Sequence, residues 1–228
     1  MSRGRRFEMG RSYHITHRCH NRNYYLKFDT DRDQYIRLLW EGSRKFNVDI
    51  YNYIVTSNHV HLLLSSDSED GISNFMCHMS GKMARYYNRR KELTGSFWEG
   101  RYKSTLIQDG THLSRCLFYI DMNMVRAGVV DHPRKWKWSG HHELTGLRKR
   151  YCVLNLDKLL TKLESFDYYS FLKWYTATLD EKLLNEEQER EAFWTESKCI
   201  GDEFFVNKMA DKKEQKKIAE ASNNTFYF

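Results

Sequence analysis

His59-Val60-His61 is the sharpest chemical feature of the sequence. In a β-strand, side chains i and i+2 leave one face about 6.6 Å apart along the chain, so two imidazoles can converge on one cation. Val60, Leu62 and Leu64 would face the other way, into a core. The competing reading is two partly buried histidines with hydrogen-bonding roles. A second feature lies downstream. His112, Arg115, Tyr119, Asn123 and Arg126 recur at helical spacing, as one polar stripe. Leu113, Leu117, Ile120 and Met124 line one flank of it, and Phe118, Met122 and Val125 the other. A helix apolar on both flanks is largely buried, and a polar stripe inside it needs partners or a cleft. A solvent-facing stripe is the alternative.

Together the two features suggest phosphoryl chemistry. A divalent cation held by two histidines still needs an oxygen ligand, and the Asn123 amide can supply one. Tyr119, one helical turn earlier, would sit at the edge of that site. The metal can polarise a phosphate oxygen and help orient the leaving oxygen. The phenol can attack phosphorus and form a covalent phosphotyrosine. That link retains the ester, so a second strand end can reverse the step without ATP, which amounts to DNA strand cleavage and rejoining. Tyr86-Tyr87 is the rival nucleophile, but Arg90 and Lys91 stand where a ligand at i+4 would be needed. His14, His17 and His20 cannot share an ion within one strand. His14 and His20 would be about 20 Å apart, with His17 facing oppositely.

The elements that must position these groups follow from pattern. Residues 12–18 are β-branched and aromatic and read as a strand. Residues 30–46 read as a helix with Thr30 and Asp33 as its cap. Residues 48–55 and 59–65 read as two strands of an antiparallel hairpin. Helices are expected over 71–93 and 111–130, the latter capped by Thr111, with a strand over 104–108 between them. Beyond Arg150 the pattern turns helical, over 154–163, 168–178, 183–194 and 204–221. This is an α+β order, an antiparallel sheet with helices packed on it. The expected division is a nuclease domain over 1–148 and a helical accessory region over 149–228.

Charge divides the same way. The net charge of +7 splits into +11 over residues 1–150 and −4 over 151–228, and all ten histidines fall in the first part. A unit of +11 is a candidate polyanion binder. Aromatics interleave with its charges at Tyr24-Tyr25, 85–90, 98–103 and 136–138, as suits stacking on unpaired bases. No apolar run reaches the roughly 18–20 residues that span a bilayer. The basic start, with Arg3, Arg5 and Arg6, is followed by no apolar signal core. Five scattered cysteines without a CxxC pair read as reduced thiols. The expectation is a cytoplasmic, nucleoid-associated protein with no membrane partner.

Four segments carry a resemblance. Asn58-His59-Val60-His61-Leu62-Leu63-Leu64 resembles the His-hydrophobic-His element of the HUH single-tyrosine transposases of the IS200-like group, within it the REP-associated tyrosine transposases. Phe97 to Ser104 resembles their Trp-x-Gly-Arg-[Phe/Tyr]-Lys-Ser stretch, Tyr119 to Gly128 their Tyr-Ile-x-x-Asn-Pro-Val-Arg-Ala-Gly element, and Trp138-Ser139 a later Trp-Ser pair. Tyr13 to Arg18 looks like the family's first strand. The likeness extends over roughly residues 8–145. It implies a ferredoxin-like α+β core and Mg²⁺ or Mn²⁺ held by His59, His61 and Asn123, with Tyr119 as nucleophile. The implied substrate is single-stranded hairpin DNA, cut to a 5′-phosphotyrosine and a free 3′-hydroxyl. Related enzymes act as dimers that exchange the tyrosine helix or as monomers, so a homodimer stays open. Met124 replaces the family's proline, which should leave its helix less interrupted. Candidate DNA contacts are Arg5, Arg6, Arg85, Arg89, Arg101, Lys103, Arg115 and Arg126. Two alternatives remain: a catalytically silent hairpin-binding protein on the same fold, and an unrelated metal-dependent phosphodiesterase.

Overall fold

The computed structural model describes residues 5–165, 167–185 and 191–211. β1 (Ser12–Arg18), α1 (Asp29–Phe46), β2 (Val48–Val55), β3 (His59–Ser66), α2 (Gly71–Lys91) and β4 (Lys103–Ile107) form a β-α-β-β-α-β unit. The sheet order is β2-β3-β1-β4-β5, with β5 (Cys199–Ile200) contributed by the C-terminal part of the chain. The first four strands pair antiparallel in the ferredoxin-like order. β5 joins β4 in parallel, Leu106 opposite Cys199, a strand that residue pattern does not announce.

The alternation of β1 assigns the layers. His17 faces α2, with Ser80 Oγ 3.4 Å from its Nδ1. Ile15, Val60, Leu62 and Leu64 share that face and are fully buried. α1 packs on α2 there. A Cβ added at Gly42 would come within 3.0 Å of the Phe75 ring, so glycine lets the two helices approach. The α1 cap differs from expectation. Phe28 is the N-cap residue and no side chain caps the helix, because Asp33 Oδ1 accepts instead from Trp138 Nε1 at 2.8 Å. Asp29 and Asp31 still place negative charge in the first turn.

The opposite face is covered by α3 (Thr111–Asp121) and α4 (Asn123–Arg126). The expected single helix over 111–130 is therefore two, broken at Met122 even without the family's proline. At the break, Tyr119's carbonyl accepts from Arg126 Nη2 at 2.6 Å. Gly110, with φ of +72°, occupies the N-cap position in place of Thr111. Short α5 (His141–Leu144) precedes α6 (Leu156–Lys162) and α7 (Tyr168–Leu184). α7 is longer than its sequence pattern, and it packs through Phe171, Tyr175 and Leu179. Of the helix expected over 183–194, residues 186–190 lie outside the described residues. Its end forms the single turn α8 (Phe193–Glu196). Residues 203–211 are helical, and the rest of the expected 204–221 helix lies outside the described residues. No helix among the described residues is long and apolar enough to cross a membrane.

Candidate active site

β3 carries His59 and His61 on the α3 side of the sheet. Opposite them on β1, Arg18 pairs with His59 and Thr16 with His61. The loop before β3 sets the His59 ring. Its Nδ1 lies 2.7 Å from Asn58 Oδ1, which can only accept, so His59 donates from Nδ1 and its Nε2 is the lone-pair nitrogen. Thr56 Oγ1, 3.0 Å from the same nitrogen, also donates to the His59 carbonyl and steadies the turn.

His61 is buried, 2% exposed, and lies at the centre of the cluster. Its ring centroid is 4.9 Å from that of His59 and 5.8 Å from that of Tyr119. Nδ1 is 2.8 Å from His14 Nε2, and Nε2 is 3.3 Å from Asn123 Nδ2. Burial holds the His61 pKa well below the usual histidine value, and His59, His14, Arg126 and Arg18 add to the effect. Burial likewise pushes His14 down to about 4. Both rings are therefore neutral near pH 7, the form that ligates metals. Among the described residues no cluster of three or more His, Cys, Asp or Glu side chains could hold a metal. A pair of imidazoles completed by a carboxamide is a different donor set.

Tyr119 reaches this cluster from the last turn of α3. It is 6% exposed and enclosed by rings, with His14 at 5.8 Å and Trp194 of α8 at 5.7 Å between centroids. Arg126 lies 4.3 Å from the centre of its ring. Behind it, a buried polar network pins the end of α3. Asn52 Nδ2 of β2 donates to Leu117 O at 3.1 Å and to Asp121 Oδ1 at 3.0 Å. Tyr175 of α7 donates to Asp121 Oδ2 at 2.8 Å. Asp121 is fully buried, which pushes its pKa up to about 7 against these two hydrogen bonds. The network leaves no space at Gly140, where a Cβ would fall 2.2 Å from Asn52 Oδ1.

The candidate DNA contacts are scattered. Lys103, exposed at the start of β4, pairs with Thr16 and so shares the face of His61. Arg126 touches the tyrosine. Arg115 forms an ion pair with Glu191 at 3.6 Å. Arg85 and Arg89 lie on α2, beyond the sheet from Tyr119, and line an open groove of about 870 Å³ with Tyr86, Asn88 and Arg90. Arg5 is docked, donating to Tyr102 O at 2.6 Å, while Arg6 and Arg101 are exposed and Arg3 lies outside the described residues. The aromatics expected to stack on bases are mostly structural. Trp98, Trp136, Trp138 and Tyr87 are buried, and of the pair Tyr24-Tyr25 only Tyr24 stands well out, 65% exposed. Tyr86 and Tyr87 sit on α2, on the other side of the sheet from His61.

Two participants escape a reading of pattern. His14 joins the cluster because β1 lies beside β3, a pairing that spacing along the chain does not contain. Trp194 comes from a turn that reads as the end of a longer helix. Only the ferredoxin-like strand order, taken from the resemblance, would have placed His14 next to β3.

No curated protein matches the chain. A REP-associated tyrosine transposase, solved bound to a REP hairpin, is 22% identical; the match covers 65% of this chain and 87% of that one, with a TM-score of 0.52, a likeness of fold. A chain from Deinococcus radiodurans R1 described as a transposase is 18% identical, with 57% and 98% covered and a TM-score of 0.39. The sequence model of the family described as "Transposase IS200 like" matches residues 9–123, from just before β1 through α3 to Asn123. The chain belongs to the IS200-like transposase family.

Proposed function

We propose that the protein cleaves and rejoins single-stranded DNA at hairpins through Tyr119. The observation that carries this reading is the meeting, within one chain, of the Tyr119 ring, the His59–His61 pair and the Asn123 amide. Tyr119 Oη attacks the scissile phosphorus, a P–O bond to the phenol forms, and the P–O3′ bond breaks. The phenol proton passes through solvent to the departing 3′ oxygen. The product is a 5′-phosphotyrosine and a free 3′-hydroxyl, and attack by a second 3′-hydroxyl reverses the exchange.

Mg²⁺ or Mn²⁺ is the ion the family resemblance implies, and of the three donors the carboxamide oxygen is the one that suits these hard cations. His59 and His61 would offer Nε2, and Asn123 its amide oxygen after a half-turn of the carboxamide. Such a cation, when bound, supplies positive charge against the phosphate and the leaving oxygen. Arg126 orients the nucleophile through both its ring and its carbonyl. Arg18 and Lys103 place positive charge on the same face for the strand entering the site. On this reading residues 1–148 hold the reacting groups, and 149–228 buttress them. Hairpin DNA is supported as substrate by the REP hairpin in the structural neighbour. All reacting groups come from one chain, so a homodimer is not required for assembly of the site.

The test is a denaturing gel of labelled single-stranded hairpin DNA incubated with the protein and Mn²⁺. A covalent adduct is expected from the native chain and none from Tyr119→Phe; an adduct retained by that variant would reject the assignment. One observation favours a second reading, hairpin binding without cleavage: Tyr119 is covered by Trp194. Salt-sensitive hairpin binding with no adduct from the native chain would establish it.

A further inference from the structure

We propose that His14, clasped by the main-chain carbonyl of Trp194, is a positioning residue that decides which nitrogen of His61 carries the proton and which presents a lone pair beside Asn123. The inference rests on the function proposed above and adds a residue, and a segment of chain, to its machinery.

The assignment follows from donors and acceptors. His14 Nδ1 lies 2.8 Å from Trp194 O. A carbonyl only accepts, so His14 donates from Nδ1. A neutral imidazole has one N–H, so His14 Nε2 accepts. The group 2.8 Å from it is His61 Nδ1, which must donate. His61 Nε2 is then the lone-pair nitrogen. Asn123 Nδ2, a donor 3.3 Å from that nitrogen, is compatible with the same tautomer. The opposite tautomer of His61 would set two lone pairs against each other at Nδ1, whichever way the Asn123 carboxamide is turned. The geometry suits a relay, with the His14 and His61 rings 5.0 Å apart between centroids and 13° from parallel.

The clasp itself is anchored. Thr105 is the cross-strand neighbour of His14 on β4, and its Oγ1 lies 3.2 Å from Trp194 O and 2.7 Å from Ser197 O. Trp194 is fully buried. β5 follows at once, with Leu106 N donating to Lys198 O at 3.0 Å. A carbonyl from the C-terminal part of the chain is thus fixed to the sheet that carries His14. Outer partners of this kind orient a metal-binding histidine and hold its tautomer.

The test reads His61 directly. Protein labelled with ¹⁵N-histidine is examined without metal by long-range ¹H–¹⁵N correlation. The native chain is expected to show His61 protonated at Nδ1 alone. His14→Phe keeps a ring beside Tyr119 and removes the acceptor, so a second His61 signal protonated at Nε2 should appear. Mn²⁺ affinity, followed by the electron paramagnetic resonance of the free ion, should fall about 10–100-fold in that variant. His14→Gln can donate to the Trp194 carbonyl and accept from His61, and it should recover most of the loss. A native spectrum with His61 protonated at Nε2 overturns the proposal. So does a His14→Phe variant with unchanged tautomer and unchanged Mn²⁺ affinity. If His14→Phe does not fold, the native spectrum and His14→Gln still decide. Absence of Mn²⁺ binding by the native chain would reject the metal reading, while the metal-free spectrum would still judge the relay.

Discussion

His14 and His17 stand three residues apart on β1, both buried and both pushed down to about 4 by desolvation. They face opposite sides of the sheet and do different things. His17 stacks on Trp98 at 4.0 Å and lies 2.9 Å from Gly100 O, holding the 97–101 loop against α2. His14 bonds to another histidine and lies edge-on to Tyr119. A depressed histidine pKa therefore marks burial on both faces. What separates them is the neighbour: backbone and indole on one side, a chain of titratable groups ending at a phenol on the other. Perturbed pKa values point to a functional site only when their partners do too.

The largest expected contrast is between His61 and His17 themselves. His61→Ala should reduce adduct formation by more than the roughly 10–100-fold that loss of an outer partner costs. His17→Ala should leave the adduct yield per folded molecule within about twofold. Quantified denaturing gels, corrected for folded fraction by circular dichroism, read both, and equal losses would erase the distinction between the faces. Next in size is Trp98→Ala, which deletes a buried ring and the hydrogen bond from Nε1 to Ser80 O. It should destabilise the fold by about 3–5 kcal/mol in urea denaturation. The smallest effect concerns protons. Buried neutral His17 takes up a proton on unfolding below pH 6.5, so its contribution is complete above that pH and is lost as pH falls towards 4. The slope is about 1.4 kcal/mol per pH unit for this one group. His17→Phe should flatten the fall in stability between pH 6.5 and 4 by about one proton, measured by urea denaturation across that range. An unchanged slope would mean that His17 is charged in the folded protein.

Much of the molecule is legible in the sequence. β1, β2 and β3 fall within a residue of their expected limits, because short runs rich in β-branched, aromatic and aliphatic residues mark strands that are buried on both faces. The His59–His61 pair and the Tyr119–Asn123 spacing were equally visible, since each lies inside one element. What stayed hidden depends on contacts between elements. The relay from His14 to His61 needs the register of β1 against β3. The Trp194 carbonyl has no side-chain signature at all. The caps expected at Thr30 and Thr111 failed for a related reason. Asp33 is engaged by Trp138, far along the chain, and Gly110 takes the cap position before α3. Arg5, a candidate DNA contact in the basic start of the chain, is held by the Tyr102 carbonyl and ring. At Asp33 and Arg5 a tertiary partner outbid a local preference.

The placement of Trp194 also bears on how the protein is made. The histidine pair, the tyrosine and the asparagine are all translated well before α8 and β5. A nascent chain still short of residue 194 can hold the reacting groups but lacks the carbonyl on which His14 closes. Termination before residue 194 would yield fragments that keep the nucleophile and lose its supporting clasp, so the cluster is complete only once α8 has been made.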